Sequence, residues 1–410
     1  MQDPAIRPKN EDRGITPWSV AFGSAVAMIV CNGPITLFTF GVLVGSITSQ
    51  FGWRRATLAS AVLAAHIGGA VMMPFRGALL DRFGTRRLVL TSICGFALLF
   101  ACVALLPANP AAFIAVYALI GVVGAGHSTL PYSRVVSTWF RERRGLALGI
   151  SLAGVGIGSA LIPQVARVLI AHYGWRGAYS GLAVLVLIVA LPAVGLLVHD
   201  PSTKGTYGLP PRVTTTDSGL SLRQSLSTPQ FWMLAIILFL VAAAVNGTTA
   251  HLVPMLADRG ISTAVATTAL SASGLALIGG RVISGFCLDR FYAPLVAAAF
   301  FLVPLVGLCL LWANGGIGMS LIAAVLLGTG IGAEVDIMSF LLVKYFGLKH
   351  YGSIYGALLA LFTLGSGLGP WLVSLPYDHL GSYTLALLGC GLSLSLASGL
   401  VVALGPYKFD

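Results

Sequence analysis

The sequence predicts an all-α membrane protein of twelve transmembrane helices, arranged as two pseudo-symmetric six-helix bundles. Three observations support this fold class. Of the 410 residues, 57% are hydrophobic and only 9% are charged, whereas soluble proteins carry roughly 25% charged residues. The chain contains twelve apolar runs, each long enough for a bilayer crossing, which takes about 20 residues. A charged turn in the first half recurs in weakened form half a chain later, which indicates a duplicated bundle.

The apolar runs give the predicted helices in chain order. Several are longer than a perpendicular crossing requires, so tilted or kinked helices are expected. Four prolines inside the runs predict kinks, which a bundle tolerates where neighbouring helices satisfy the freed backbone groups. These prolines are Pro34, Pro74, Pro131 and Pro163. The predicted helices cover 18–45, 56–80, 88–107, 111–140, 145–172, 178–199, 229–257, 264–288, 292–313, 317–346, 352–378 and 382–404.

Residues 200–228 interrupt the apolar pattern and predict a linker between the two halves. They contain Pro201, Pro210 and Pro211, three successive threonines and several charges, a composition typical of loops. The predicted organisation is an N-terminal tail (1–17), a first bundle (18–199), the linker, a second bundle (229–404) and a C-terminal tail (405–410).

The distribution of lysine and arginine predicts the orientation in the membrane. If both termini lie inside, sixteen of these residues fall in inner segments and four in outer ones, as the positive-inside rule requires. The short loops suggest a bacterial inner membrane, with both termini and the linker cytoplasmic. The net charge of +11 would then face anionic lipid. We expect no nucleic acid partner, because no soluble domain offers a binding face.

Arg281 is the strongest candidate for a functional residue. It lies eight residues before Asp289, which is about 12 Å along a helix and near the middle of the bilayer. Intramembrane charges are costly and mark substrate or ion pathways. Its counterpart in the first half is Met73, so the charge is not part of the shared scaffold. We expect a guanidinium that binds a carboxylate in a central cavity. The alternative is a structural ion pair with the tenth helix.

Two acids, Glu334 and Asp336, lie at similar depth in the tenth helix. Two positions correspond to roughly 200° around a helix, so the two side chains cannot both face one cavity. A buried carboxyl can take up a proton in the physiological range. We expect Asp336, in preference to Glu334, to carry a coupling proton and to exchange interactions with Arg281. The alternative is that one of the two acids is a fixed counter-ion and the other packs against a helix end, so that neither takes up a proton during transport.

Other polar residues within the apolar runs are weaker candidates. Arg134 is shallow enough to reach the membrane surface and suits a cytoplasmic gate. His66 and His127 lie mid-helix, where a histidine is either hydrogen-bonded within the structure or binds substrate or protons. Asn32, Asn246 and Tyr132 are plausible cavity groups. The sequence contains no metal-ligand cluster, nucleotide-binding loop or Ser/His/Asp set. We therefore expect no enzyme activity and no cofactor.

The charged turn itself resembles a known family motif. The tract from Gly77 to Arg87 reads G-A-L-L-D-R-F-G-T-R-R, and it resembles the loop between helices 2 and 3 of the major facilitator superfamily. That resemblance implies a secondary transporter. It also implies that the loop charges form a conformational gate that holds the outward-facing state. These charges are Asp81, Arg82, Arg86 and Arg87.

Further tracts resemble the monocarboxylate transporter family. They are W-F-R-E-R-R-G-L-A-L-G-I at 139–150, G-W-R-G-A-Y at 174–179 and G-W-R-R at 52–55. Arg281 stands at that family's substrate-linked helix 8 arginine. Two departures matter: residues 31–36 lack the family's helix 1 lysine, and Leu277 replaces its helix 8 aspartate. A proton carrier then has to come from the tenth helix.

The favoured function is a proton-coupled carrier of small organic anions, resembling a monocarboxylate symporter. Its partners would be a small carboxylate, a proton and the lipid bilayer, and we expect a monomer. One alternative is an anion exchanger of the oxalate/formate type, or a di- or tricarboxylate carrier, without proton coupling. A sensor or membrane enzyme is disfavoured because no site or soluble domain supports it. Drug or sugar efflux is disfavoured by the buried arginine.

Overall fold

The structure is a computed structural model that describes residues 16–140, 143–200, 219–347 and 349–409. The side chains of Pro74, Arg76, Gly77, Ala78 and Asp81 lie outside the described set. Within these ranges the chain is helical, with one isolated backbone bridge between Gly219 and Gly347. The helices are α1 (Pro17–Ile29), α2 (Asn32–Phe51), α3 (Arg55–Val71), α4 (Met73–Phe83), α5 (Thr85–Ala104), α6 (Pro110–Gly124), α7 (Thr129–Trp139), α8 (Arg144–Leu197), α9 (Leu222–Leu226), α10 (Pro229–Asp258), α11 (Thr263–Leu288), α12 (Ala293–Ala313), α13 (Gly316–Phe346), α14 (Tyr351–Leu380) and α15 (Thr384–Val402).

Twelve membrane spans are formed by these helices. Eleven continuous segments of the described chain are long and apolar enough to cross a membrane, and one of them, α8, has 54 residues. A straight helix of that length would extend for about 80 Å, more than twice a bilayer core. Gly174 divides α8 through non-helical angles of φ 69° and ψ 178°. The left-handed φ suits glycine, which has no Cβ. The predicted twelve-helix class is therefore confirmed.

Three of the spans in the first half consist of two helices each. The first span breaks between α1 and α2, the second between α3 and α4, and the fourth between α6 and α7. Pro34, Pro74 and Pro131 each lie in the first turn of the helix that follows the break. Proline is tolerated there because the amides of a first turn have no intrahelical partner. The breaks therefore precede the prolines, whereas α8 continues through Pro163.

The two halves use equivalent helix contacts. A Cβ on Gly121 of α6 would lie 1.8 Å from the backbone of Ala65 in α3, and one on Gly328 of α13 would lie 2.0 Å from that of Ser273 in α11. Gly154 of α8 approaches α1 in the same way that Gly369 of α14 approaches α10. Such close backbone approach is how membrane helices gain packing contacts in lipid. The repetition of these pairs shows the pseudo-symmetry of the bundles.

Both described ends of the chain lie at one end of the bundle. Trp18 at the start of α1 packs against Phe140 with ring centroids 4.9 Å apart. The backbone amide of Leu220 donates to the carbonyl of Phe346 at 2.9 Å, and that of Lys408 donates to the carbonyl of Lys344 at 3.1 Å. We call this end the termini face and the other end the opposite face. Most of the predicted linker, residues 201–218, lies outside the described residues.

Candidate functional site

Arg281 and Asp336 form an ion pair between α11 and α13. The Nε of Arg281 lies 3.4 Å from Oδ2 of Asp336, and the two side chains are 24% and 32% exposed. The two helices meet closely here, because a Cβ on Gly280 would lie 2.2 Å from the carbonyl oxygen of Thr329. Within the described part of the chain, the terminal nitrogens of Arg281 have no hydrogen-bond acceptor. The planar end of the guanidinium can therefore accept a carboxylate in bidentate fashion.

Glu334 occupies a different face of α13. Its side chain is 2% exposed, and it lies within interaction range of the Asn246 amide on α10. Asn246 donates from Nδ2 to the carbonyl of Ala242 at 3.1 Å and to Oγ of Ser366 at 3.4 Å. The Oε1 atom of Glu334 has no hydrogen-bond partner among the described residues. The two acids of α13 thus lie in separate environments, and only Asp336 faces Arg281.

The sequence did not predict a pair of stacked tyrosines on α14, one of which lies within electrostatic range of the ion pair. Tyr355 of α14 lies within electrostatic range of both Arg281 and Asp336, and its hydroxyl interacts with Ser339. Tyr351 stacks on Tyr355 with ring centroids 5.4 Å apart. The spacing of four residues on one helix would have placed both rings on one face. Nothing in the sequence, however, predicted that this face of α14 would lie near Arg281 on α11.

His127 and Tyr132 join two helix breaks inside the first bundle. The Nε2 of His127 lies 3.1 Å from the carbonyl oxygen of Val30, and Nδ1 lies 2.7 Å from the Tyr132 hydroxyl. In addition, the backbone amide of Asn32 donates a hydrogen bond to the backbone carbonyl of His127 at 3.1 Å. Because Val30 can only accept, Nε2 carries the proton and Nδ1 accepts from Tyr132. Both side chains are fully buried, so here the structure fits the hydrogen-bonded alternative for His127.

The remaining predicted residues lie apart from the ion pair. His66 bonds through Nδ1 to the carbonyl of Val62 at 2.9 Å, and it packs against Gly367 of the second bundle. Arg86 donates its backbone amide to Asp200 at 3.0 Å. Arg82, Arg87 and Arg134 are exposed near the termini face. The side chain of Asp81 lies outside the described residues.

A charged cluster at the opposite face links the two halves. Its centre is Arg55, the first residue of α3. The guanidinium of Arg55 holds Asp258, at the end of α10, through Nη1–Oδ2 at 2.6 Å and Nη2–Oδ1 at 2.9 Å. It also stacks on Tyr377 of α14 at 3.9 Å. A bidentate arginine–carboxylate pair is among the stronger polar contacts.

Three more residues complete this group. The carboxylate of Asp378 accepts from the backbone amides of Arg55 at 3.1 Å and Ala56 at 2.8 Å, so the second half caps the first turn of α3. The Tyr383 hydroxyl accepts from Nη1 of Arg55 and lies 3.3 Å from Nδ1 of His251. We call these six residues the Arg55 cluster. Its members are Arg55, His251, Asp258, Tyr377, Asp378 and Tyr383.

Other contacts close the halves around the same end. Gln164 of α8 donates to Ser271 of α11 at 3.2 Å and accepts from Arg167 at 3.2 Å. A Cβ on Gly41 of α2 would lie 2.6 Å from the carbonyl oxygen of Ala250 in α10. These contacts lie between mid-depth and the opposite face. The two bundles are therefore joined at the opposite face in this structure.

Comparison with known proteins gives consistent matches. The chain matches the family model described as Major Facilitator Superfamily over residues 20–370. It is 28% identical over 281 residues to Monocarboxylate transporter 11 of Homo sapiens, covering 66% of this chain and 58% of that protein. The chain thus spans little more than half the length of that relative. It is 25% identical over 356 residues to the Oxalate:formate antiporter of Oxalobacter formigenes, covering 83% of this chain and 82% of that protein.

The fold is also similar to solved structures. One is a bacterial homolog of the human lysosomal transporter Spinster in an inward-facing and occupied conformation. The TM-score is 0.68 at 15% sequence identity, and the match covers 95% of this chain and 94% of that one. At this level of identity the likeness concerns the fold alone.

Proposed function

This chain belongs to the major facilitator superfamily, and we propose that it is a proton-coupled symporter of small organic anions, monocarboxylates in the first place. Membership of the family makes it a membrane transporter rather than an enzyme. Relatives named for monocarboxylate transport and for oxalate:formate exchange support an organic anion as substrate. The choice of a monocarboxylate and the coupling to protons are our proposal.

The observation that carries the proposal is the partly exposed pair of Arg281 and Asp336. Their closest approach is 3.4 Å, from Nε to Oδ2, and among the described residues no hydrogen bond uses the two terminal nitrogens of the arginine, which leaves them for a ligand. A planar guanidinium fork matches the geometry of a carboxylate, which it can bind through two parallel hydrogen bonds. One cationic group suits one carboxylate, and Tyr355 lies within electrostatic range of the same pair.

Proton coupling follows from charge balance at this pair. A substrate carboxylate that binds Arg281 takes over the charge that balanced Asp336. An unpaired carboxylate in a desolvated site is costly, and such a group takes up a proton instead. Substrate and proton would then load together as an electrically neutral pair. Glu334 is the second candidate for the proton carrier, since it is buried without a cationic partner among the described residues.

We assign the closed opposite face to the outside and the termini face to the cytoplasm of a bacterial inner membrane. The lysine and arginine distribution supports this orientation, and the Arg55 cluster supports a state closed to the outside. Alternating access would require that cluster to break when the opposite face opens. We expect one chain to complete this cycle as a monomer, because a single chain supplies both halves of the proposed gate.

The test of the proposed substrate site is Arg281→Lys. Lysine keeps the charge but loses the planar fork, so substrate affinity should fall by at least about tenfold, the equivalent of one lost charged hydrogen bond. Equilibrium binding of labelled carboxylates to purified protein measures this directly. Arg167→Lys is the matched control, because Arg167 contacts Gln164 near the opposite face. Unchanged affinity in Arg281→Lys would exclude Arg281 as the carboxylate ligand.

Anion exchange without protons is the second candidate function. It is favoured by the relative named as an oxalate:formate antiporter and by the loss of two family positions, a helix 1 lysine and the aspartate replaced by Leu277. In an exchanger, Asp336 would only be a counter-ion that balances the positive charge of Arg281 between substrates. An exchanger would transport only when a counter-substrate is present on the far side, and would ignore a pH gradient.

A further inference from the structure

His251 is a buried titratable group that the proposed transport cycle does not use. It is fully buried in α10, seven residues before Asp258 and so about 10 Å from the opposite face. Its Nε2 lies 2.8 Å from the carbonyl oxygen of Pro370, and its Nδ1 lies 3.3 Å from the Tyr383 hydroxyl. It is therefore the innermost member of the Arg55 cluster.

The donors and acceptors of the cluster fix the protonation of His251. The carbonyl of Pro370 can only accept, so Nε2 carries a hydrogen. Arg55 can only donate, so its bond to Tyr383 uses the oxygen of that hydroxyl. The single hydroxyl proton of Tyr383 is then free to point at Nδ1. This chain of bonds is complete only while Nδ1 has a lone pair, which means that the closed cluster holds a neutral imidazole.

We propose that His251 is a proton-binding site of the outer gate, and that its protonation favours opening of the opposite face. A proton on Nδ1 turns that atom from an acceptor into a donor, so the Tyr383 hydroxyl proton loses its acceptor. It also places a second cation beside the guanidinium of Arg55. Both effects weaken the contact that ties α3 to α10 and α15. Acid outside the cell would thus open the side from which a symporter collects substrate and proton.

The acidic groups around His251 offset this effect only in part, because Arg55 acts on the imidazole more strongly than Asp258 does. On α3, Arg55 is the like charge. On α10, Asp258 is held by both terminal nitrogens of Arg55, and on α14 the carboxylate of Asp378 caps backbone amides of α3. Tyr377 is covered by the guanidinium. On α2, the nearest ring is Phe40, whose centroid lies 5.8 Å away and which has no titratable group.

The test measures the distance between the halves as a function of pH. Spin labels are placed at Ala108→Cys and Ser382→Cys, two exposed loop positions on opposite halves, after the six native cysteines are replaced. Protein in lipid nanodiscs without substrate is compared between pH 8 and pH 5 by pulsed electron resonance. We expect the ratio of the long-distance to the short-distance population to rise about fivefold or more on acidification. His251→Gln should abolish this rise, because glutamine does not titrate.

Two further variants make the result decisive. His172→Gln is the matched control and should keep the full pH response, since His172 is exposed on α8 and lies outside the Arg55 cluster. Tyr383→Phe should raise the long-distance population at pH 8, because it removes the acceptor for Arg55. A full response in His251→Gln, no response in the parent protein, or a gate that stays closed at both pH values in Tyr383→Phe would each overturn the proposal. The readout needs no carboxylate, so it stands apart from the test of the substrate site.

Discussion

At the residue scale, Arg281 is the point on which the proposed function depends. Its carboxylate partner among the described residues, Asp336, lies on another helix, and the pair is partly exposed, so a competing carboxylate can reach the guanidinium. Both side chains of the pair are partly exposed, whereas the side chain of Glu334 is almost completely buried. The two acids of α13 should therefore respond differently to neutralisation.

Neutralising Asp336 tests the coupling step. Asp336→Asn mimics the protonated acid, so it should abolish pH-driven uptake while leaving substrate counterflow, which needs no return of an empty, deprotonated carrier. Glu334→Gln should reduce pH-driven uptake less, because Glu334 faces Asn246 rather than Arg281. Both rates can be measured in proteoliposomes. The reverse ranking would transfer the proton to Glu334, and undiminished uptake in the double variant would remove both acids from the coupling.

The sequence singled out Arg281 and Asp336 as candidates because charges within a membrane span are rare and therefore conspicuous. It could not identify the Arg55 cluster. Arg55 lies at a helix end, where an arginine that reaches water is ordinary, and Asp258 and Asp378 are loop-side acids of another bundle. Only the approach of the two halves brings these residues together. His251 was missed for the same reason, since its partners Pro370 and Tyr383 lie over a hundred residues away.

At the element scale, the broken helices of the first bundle are the main departure from the predicted pattern. The breaks between α1 and α2 and between α6 and α7 meet at His127, which satisfies the carbonyl of Val30 with its side chain and the amide of Asn32 with its backbone. Prolines predicted kinks nearby. They could not predict that two breaks would be joined, because this depends on the packing of α1 against α7 and α8.

Removing the His127 ring should therefore destabilise the bundle. His127→Leu leaves the carbonyl of Val30 and the hydroxyl of Tyr132 without their partner, at a cost of about 1–3 kcal/mol. We expect the melting temperature in detergent to fall by a few degrees, and to fall less in His66→Leu, whose ring has one bond within its own helix. If His127→Gln instead keeps its melting temperature but weakens carboxylate binding, His127 is a substrate ligand.

At the scale of the whole molecule, the two bundles repeat one set of close helix contacts and meet at the opposite face. The twelve spans and the division into halves were predictable from hydropathy and the repeated turn. Hydropathy did not predict how closely the fifth and sixth spans follow each other: they form one continuous helix, α8, that is interrupted by a single non-helical residue, Gly174. Hydropathy also says nothing about which end is closed, because closure depends on contacts such as that between Gln164 and Ser271.

The orientation of the whole molecule is testable by labelling. Cysteines at Arg87→Cys and Ser227→Cys lie on the termini face, and Ala108→Cys lies on the opposite face. In a cysteine-free background, an impermeant thiol reagent on intact cells should label only the last of these, as the positive-inside rule predicts. All three should react in permeabilised cells. Labelling of the first two sites in intact cells, with Ala108→Cys protected, would invert the topology.

The central claim is that this chain moves a small carboxylate together with a proton, and uptake into proteoliposomes tests it most directly. Vesicles with an alkaline interior are given a panel of labelled monocarboxylates, dicarboxylates and oxalate, with and without a protonophore. We predict that at least one monocarboxylate accumulates above its equilibrium level, that the protonophore abolishes the accumulation, and that Arg281→Lys vesicles show none. Uptake that ignores the pH gradient and requires a carboxylate inside the vesicle would contradict symport and establish exchange.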